Sequence, residues 1–518
     1  MAPEIRVPDR LNVATFFVDE NVSKGRGEKV AIYYEDRQLT YNDVLALVNK
    51  TGNALRGLGV GIEDRVVLLL FDCPEFVSSF FGAIKIGAVP IPTNTMLRPP
   101  DYEYLLNDSR AATVVASESL AEQIEEVRGN LKHLKHLVVV GRAKPGQLSY
   151  QALVDKSSAE LEAEEMSKDD AAFWLYSSGT TGFPKGAVHL QHDMIYCADL
   201  YARNILGISE VDVTFSVAKL FFAYGLGNAL YFPFRVGAST VLYPGRPEPA
   251  KIFEVITRYR PTLFFCVPTA YAAMLQVEDA EKKYDLSSIR LCISAGEALP
   301  KAVFTRWRDR FGVEILDGIG STEILHIFLS NRPGAVRAGS SGQLVPGYEA
   351  RIVDEEDRQV PVGEVGNLLI KGESIAAYYW NKHEKTKQTI VGDWIVTGDK
   401  YHRDEDGYYW YAGRSDDMIK AGGIWVSPVE VENTLMEHPA VLECGVVGAM
   451  DKDELVKPKA FVVLKDGMVP ADGLARDLQD FVKMRIAPYK YPRWIQFVDG
   501  LPKTATGKIQ RFKLRSPD

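Results

Sequence analysis

A chain of 518 residues is too long for one hydrophobic core and is expected to divide into roughly two to four domains. Its 46% hydrophobic and 25% charged residues are ordinary for a soluble globular protein, and a net charge of -9 gives no electrostatic footing for nucleic acid. The five cysteines, Cys73, Cys197, Cys266, Cys292 and Cys444, are scattered and never form a CxxC pair, which argues against a disulfide framework or zinc site and fits a reducing cytoplasm.

The first residues carry charges of both signs without a continuous apolar stretch, so no signal peptide is expected. Ala31-Ile32-Tyr33-Tyr34 and Gln38-Leu39-Thr40-Tyr41 flank a charged turn and predict a hairpin. Thr40 and Asp43 have the spacing of a capping box, and Val44, Leu47, Val48, Leu55 and Leu58 recur at helical spacing up to Gly59. The apolar run 65–70 predicts a strand buried on both faces, and Pro74 opens a helical pattern that ends at Gly87. Further apolar runs at 112–116 and 137–140 continue the alternation, the grammar of a mostly parallel sheet covered by helices.

A phosphate-gripping loop is expected at Tyr176-Ser177-Ser178-Gly179-Thr180-Thr181-Gly182-Phe183-Pro184-Lys185-Gly186, which holds four Ser/Thr hydroxyls, three glycines and a lysine. Glycines let successive backbone N–H groups turn toward one anion, hydroxyls add donors, and lysine supplies a compact positive charge. The pattern is not a Walker loop, because Gly186 and not Ser/Thr follows Lys185. This string resembles the phosphate loop of the superfamily of adenylate-forming enzymes: acyl- and aryl-CoA synthetases, adenylation domains and firefly luciferase.

The twenty mostly apolar residues 215–234 have the length of a membrane span. They contain Lys219, Gly225, Gly227, Asn228 and Pro233, so a buried strand-turn-helix segment is expected instead, with no membrane partner.

Leu291-Cys292-Ile293-Ser294-Ala295-Gly296-Glu297 and Ile315-Leu316-Asp317-Gly318-Ile319-Gly320-Ser321-Thr322-Glu323 both read as strands whose small residues open into a helix and let a flat ring approach the backbone. The resemblance makes these two turns the adenine pocket, with Ile319 where a tyrosine commonly stacks, and gives Glu323 the magnesium on ATP. A carboxylate beside a phosphate loop would repel the substrate unless a cation lay between them, so Mg²⁺ resolves the conflict.

Residues 335–411 alternate in short strands broken by Gly, Pro and Asp, which predicts a small β-rich subdomain. By resemblance, Asp399 in Thr397-Gly398-Asp399 accepts from the ribose hydroxyls with Arg414 assisting. Asp416 is then the hinge of a mobile C-terminal domain, and Gly422 and Gly423 border the pantetheine tunnel of coenzyme A. Lys508, in Thr504-Ala505-Thr506-Gly507-Lys508, resembles the lysine that enters the active site during adenylation. A fixed charge there would stabilise charge developing at the α-phosphate.

The resemblance covers nearly the whole chain and implies an α/β protein. A large N-terminal domain of helix-covered sheets with a β-rich subdomain is expected over residues 1–415, and a small mobile α+β domain over 416–518. It implies a ligase in which a carboxylate attacks the α-phosphate of ATP and a thiol then displaces AMP. The runs Lys219-Leu220-Phe221-Phe222-Ala223-Tyr224-Gly225 and Asp317-Gly318-Ile319-Gly320 look like those of benzoate–CoA ligases in that superfamily. Ala223, Tyr224, Gly320, Leu325, His326 and Lys420 are then expected around a small aromatic carboxylate, with His326 the polar contact. An apolar pocket resolves one hydroxyl poorly, so hydroxybenzoates, furoate-like acids and cyclohexane carboxylates stay on the list. A carrier-protein thiol in place of CoA and a luciferase-type oxygenase are the readings from other classes. The oligomeric state is left open, a homodimer among the options.

Overall fold

The computed structural model describes residues 4–177, 184–415, 417–421, 424–451, 456–471, 473–503 and 509–515. The hairpin forms as Val30–Tyr34 against Arg37–Thr40. Thr40 then caps the helix Tyr41–Gly57: its side chain accepts from the Asp43 N–H while the Asp43 side chain accepts from the Thr40 N–H. Pro74 stands first in the helix Pro74–Lys85, where its missing N–H costs nothing.

The strand Arg65–Leu69 lies within a five-stranded sheet, paired in parallel with Val89–Pro92 and Thr113–Ser117. A nine-stranded sheet lies beyond it, with a parallel centre made of Ile315–Gly320, Leu291–Ser294, Leu263–Cys266, Val213–Ser216, Ser239–Leu242 and Val30–Tyr34. Nearly all side chains of its inner strands are buried, as expected of sheets covered on both faces. Residues 215–234 pass from a strand end through the short turns Ala223–Leu226 and Gly227–Tyr231 into Phe232–Val236. No helix among the described residues is long and apolar enough to cross a membrane.

Two departures from the sequence reading bear on the site. Ile315–Gly320 does not open into a helix. One 3₁₀ turn, Thr322–Ile324, follows, and the chain returns antiparallel as Ile327–Ser330. A Cβ on Gly318 would stand 2.7 Å from the Leu329 carbonyl oxygen, and one on Gly320 2.5 Å from that of His326. These glycines are therefore required by the returning strand itself. Second, the β-rich sheet forms from Glu349–Val353, Gly366–Lys371, Trp394–Arg403, Ile390–Val391 and Tyr409–Arg414, but Tyr378–Tyr379 leaves it. That pair adds instead to the edge of Lys185–Leu190, with Tyr379 opposite Ala187.

The C-terminal region has its own buried core, built from Ile419, Val426, Val431, Leu435, Val446, Val462, Leu478 and Val482 among others. Its three-stranded sheet combines Val441–Met450, Val456–Leu464 and Trp494–Phe497.

Candidate active site

Ala171–Ser177 and Lys185–Leu190 pair antiparallel with Ser177 opposite Lys185, so the expected phosphate loop is the connection of this hairpin. Its far side is pinned where the Tyr104 hydroxyl donates to the Pro184 carbonyl at 3.0 Å. Ser178, Gly179, Thr180 and Thr181 lie outside the described residues.

At the root of the hairpin, Glu323 Oε1 accepts from Ser177 Oγ at 3.0 Å and from the Tyr379 hydroxyl at 2.7 Å. Lys185 Nζ lies 3.4 Å from the same Tyr379 oxygen and 4.5 Å from the ring centroid. Burial pulls the Lys185 ammonium below its ordinary value, opposed by the Glu323 charge, and burial together with that carboxylate pushes the Tyr379 phenol up. Tyr379 thus stands between the lysine and the carboxylate. The sequence reading missed it, because it falls inside the stretch assigned to the subdomain. The one signal was aromatic density, Tyr378-Tyr379-Trp380, in a polar region.

Both hydroxyl bonds to Glu323 end on Oε1, and Oε2 accepts none among the described residues. The described residues hold no cluster of three or more His, Cys, Asp or Glu suited to a metal. One carboxylate oxygen beside hydroxyl groups fits Mg²⁺, which keeps several waters and shares its coordination with substrate phosphates.

The two expected adenine turns are joined directly. Ser294 pairs with Asp317 across parallel strands, and Asp317 Oδ2 accepts from the Leu299 N–H at 3.2 Å. Gly296 adopts φ +97°, and Thr269 Oγ1 donates to Glu297 Oε1 at 3.3 Å. Ala295 is buried and Ile319 packs against the main core. Burial pushes the Asp317 carboxyl up to about 8, opposed by the hydrogen bond from the Leu299 N–H, and Oδ1 has no partner among the described residues.

In the β-rich sheet, Asp399 faces Arg414 across adjacent strands, and Arg414 Nη1 donates to Asp399 Oδ1 at 3.1 Å. Gly398 between them has φ +76°, and a Cβ there would meet Arg414 Nη2 at 2.7 Å. The positive φ favours glycine here.

Two of the residues expected around the acid, Leu325 and His326, lie in one turn with Thr322 and Glu323. Ser321 caps it by accepting from the Ile324 N–H at 3.2 Å, and Thr322 and Glu323 follow. Leu325, fully buried, then takes φ +72°. This conformation is strained for leucine. His326 comes next, 2% exposed, with the rings of Tyr201, Tyr224, Tyr231 and Phe232 around it. Its Nε2 lies 3.2 Å from the Tyr224 carbonyl and 3.1 Å from Asn228 Oδ1. A carbonyl oxygen only accepts, so Nε2 is the protonated nitrogen and Nδ1 carries the lone pair. Nδ1 has no hydrogen-bond partner among the described residues, and burial lowers the imidazole to about 3. The Tyr224 hydroxyl lies 3.3 Å from each of the Cys266 and Ile293 carbonyls, beside Ala223 at the start of its turn.

Lys508, Asp416, Gly422 and Gly423 lie outside the described residues, as does the side chain of Lys420 on the strand Ile419–Ala421. The segments flanking them are fixed. Lys503 bridges Ile509, and Arg511 donates to both Glu432 oxygens at 2.9 and 2.7 Å and to Asp417 at 3.4 Å.

Residues 18–380 match the AMP-binding enzyme family, and residues 430–508 match the AMP-binding enzyme C-terminal domain. The chain is 53% identical to a benzoate–CoA ligase of Thauera aromatica, over 99% of this chain and 97% of that one. Among solved structures, an anthranilate CoA ligase, AuaEII, in complex with anthranoyl-AMP superposes with a TM-score of 0.94 at 49% identity, covering 98% of this chain and 97% of the other. A benzoate CoA ligase from Burkholderia xenovorans superposes with a TM-score of 0.91 at 47% identity, covering 98% and 100%.

Proposed function

Because this chain belongs to the family of AMP-binding enzymes, we propose that it is an ATP-dependent, AMP-forming benzoate–CoA ligase of two domains that meet at a hinge at Asp416. The observation that carries the reading is the turn 321–326, which presents Glu323 to the hairpin bearing the phosphate loop and His326 to a cluster of aromatic rings four positions from Thr322. Nucleotide and ring acid are thereby brought to one short stretch of backbone. The full-length likeness to the Thauera aromatica benzoate–CoA ligase supports benzoate as the acid.

The chemistry follows from positioning and charge. A benzoate oxygen attacks the α-phosphorus, the bond to pyrophosphate breaks, and benzoyl-adenylate forms. The CoA sulfur then attacks the carbonyl carbon and AMP leaves. Residues 177–181 with Lys185 grip the triphosphate, and Glu323, held by Ser177 and Tyr379, would hold Mg²⁺. A bound Mg²⁺ would neutralise phosphate charge. Ala295, Gly296, Glu297, Asp317, Gly318 and Ile319 receive the adenine, and Asp399 with Arg414 the ribose. Lys508 bridges the carboxylate and the α-phosphate, and Gly422 and Gly423 border the path of pantetheine. No enzyme nucleophile is required.

A second reading, a ring acid bearing an amino or hydroxyl substituent, is favoured by His326, whose buried Nδ1 has no partner among the described residues and is an acceptor suited to a donor on the ring. Competition of benzoate against 2-aminobenzoate and the hydroxybenzoates in AMP release tests the two. A kcat/KM led by benzoate supports the first, and one led by a donor-bearing ring by about tenfold or more supports the second.

A further inference from the structure

A buried pair outside the reacting groups supports the turn 321–326 from behind. His189 lies on the strand that leaves the phosphate loop, Asp193 begins the helix Asp193–Cys197, and both are fully buried. His189 Nε2 is 2.8 Å from the Thr322 carbonyl oxygen, and Nδ1 is 2.7 Å from Asp193 Oδ2. The carbonyl only accepts, so Nε2 carries the proton of that bond, and a further proton lies between Nδ1 and the carboxyl group. Asp193 Oδ2 also accepts from the Leu190 N–H at 3.1 Å, His192 Nε2 stands 3.2 Å from Oδ1, and the Phe173 ring stacks on the imidazole at 5.2 Å. Both nitrogens and one face of the His189 ring are therefore constrained.

Thr322 precedes Glu323, and its carbonyl shares a rigid peptide plane with the Glu323 N–H. The bond from His189 fixes the plane from which the Glu323 side chain departs. The same carbonyl accepts the Leu325 N–H at 3.3 Å, so it also anchors the strained residue. On the other side of the turn the Ala376 N–H donates to the Glu323 carbonyl at 2.8 Å and Ser374 Oγ to the Ile324 carbonyl at 2.9 Å.

Resting on the ligase reading above, we propose that His189 and Asp193 are positioning residues for the adenylation half-reaction, holding the peptide between Thr322 and Glu323 so that the Glu323 carboxylate stays in register with the strand leaving the phosphate loop. A residue that served only the core would support both half-reactions alike. One that works through Glu323 supports the step that handles the triphosphate.

The test uses the full chain and separates benzoate-dependent ATP–pyrophosphate exchange from CoA-dependent consumption of supplied benzoyl-adenylate. His189→Leu is expected to lower exchange by about 10–100-fold while adenylate consumption stays within about threefold. His189→Gln, which keeps a donor for the Thr322 carbonyl, recovers most of the loss. In a Glu323→Gln background, His189→Leu adds less than about twofold, because both changes act through one carboxylate. Amide exchange of the peptide covering 321–326 quickens in His189→Leu. Should that variant fail to fold, Asp193→Asn carries the same comparisons. Equal losses in both half-reactions, full additivity in the Glu323→Gln background, or unchanged exchange protection overturns the proposal. A wild-type protein without benzoate-dependent exchange would sink the ligase reading instead, and the exchange protection of the turn would still decide whether His189 holds it.

Discussion

Tyr379 donates to Glu323 Oε1 at 2.7 Å and approaches Lys185 Nζ at 3.4 Å, so one hydroxyl stands between the cation and the carboxylate proposed to meet the same triphosphate. Tyr379→Phe keeps the ring and removes that hydroxyl. The expected result is a KM for Mg-ATP raised about tenfold in pyrophosphate exchange, with an unchanged denaturation midpoint; an unmoved KM would show that the hydroxyl is idle. Two buried titratable groups give opposite pH signatures. Asp317 is raised from 3.8 to about 8, so the native state binds more protons than the unfolded chain between those values and its contribution to stability falls as pH rises through the window. His326 is lowered from 6.5 to about 3, so the native state binds fewer protons there and stability is lost as pH falls through that window. Asp317→Asn should remove the fall in stability as pH rises from 3.8 to about 8, and His326→Gln the fall as pH drops from 6.5 to about 3. Slopes identical to wild type would contradict both assignments.

At the scale of elements, the site depends on strands meeting where sequence periodicity does not place them. The string between Ser177 and Lys185 and the Thr322-Glu323 pair stood out in the sequence because their residue types suggest local chemistry: glycines for approach, hydroxyls and lysine for an anion, a carboxylate for a cation. The capping box of Thr40 and Asp43 was legible for the same reason. Tyr379 was not, since its role follows from two residues leaving one sheet to edge another, a long-range pairing that nothing local encodes. The return of the chain after Gly320 was hidden as well, because Ser-Thr-Glu-Ile reads like the start of a helix until a positive φ at Leu325 ends it. Gly398 lies close against Arg414 of the pair proposed to receive the ribose. Gly398→Ala forces a left-handed backbone on a residue with a Cβ and pushes that Cβ into Arg414, so about 1–3 kcal/mol of stability should be lost together with a rise in the KM for ATP. Wild-type values of both would show that neither the backbone at this position nor the Arg414 side chain constrains the residue.

At the scale of the whole molecule, the C-terminal region carries a core of its own, and the proposed hinge at Asp416 can be tested by substitution. Asp416→Pro is expected to leave benzoyl-adenylate formation near wild type and to slow its conversion to the thioester. Lys508→Ala should do the reverse, abolishing adenylation while a supplied benzoyl-adenylate is still thioesterified. Matched losses of both steps in either variant would remove the division of labour between the two ends of the C-terminal domain. Arg511, tied to Glu432 and Asp417, links the flank of Lys508 to the flank of Asp416 and gives the two assignments a common mechanical frame.

The central claim, that this chain joins benzoate to CoA at the expense of ATP, is tested most directly by measuring AMP and acyl-CoA formation by the purified protein. The assay contains Mg-ATP, CoA and a panel of benzoate, hydroxybenzoates, 2-aminobenzoate, cyclohexane carboxylate, acetate and a medium-chain fatty acid. Benzoyl-CoA and AMP formed in equal amounts, with benzoate the preferred acid, is the predicted result. Preference for acetate or the fatty acid, or adenylate formed without any CoA product, would contradict it.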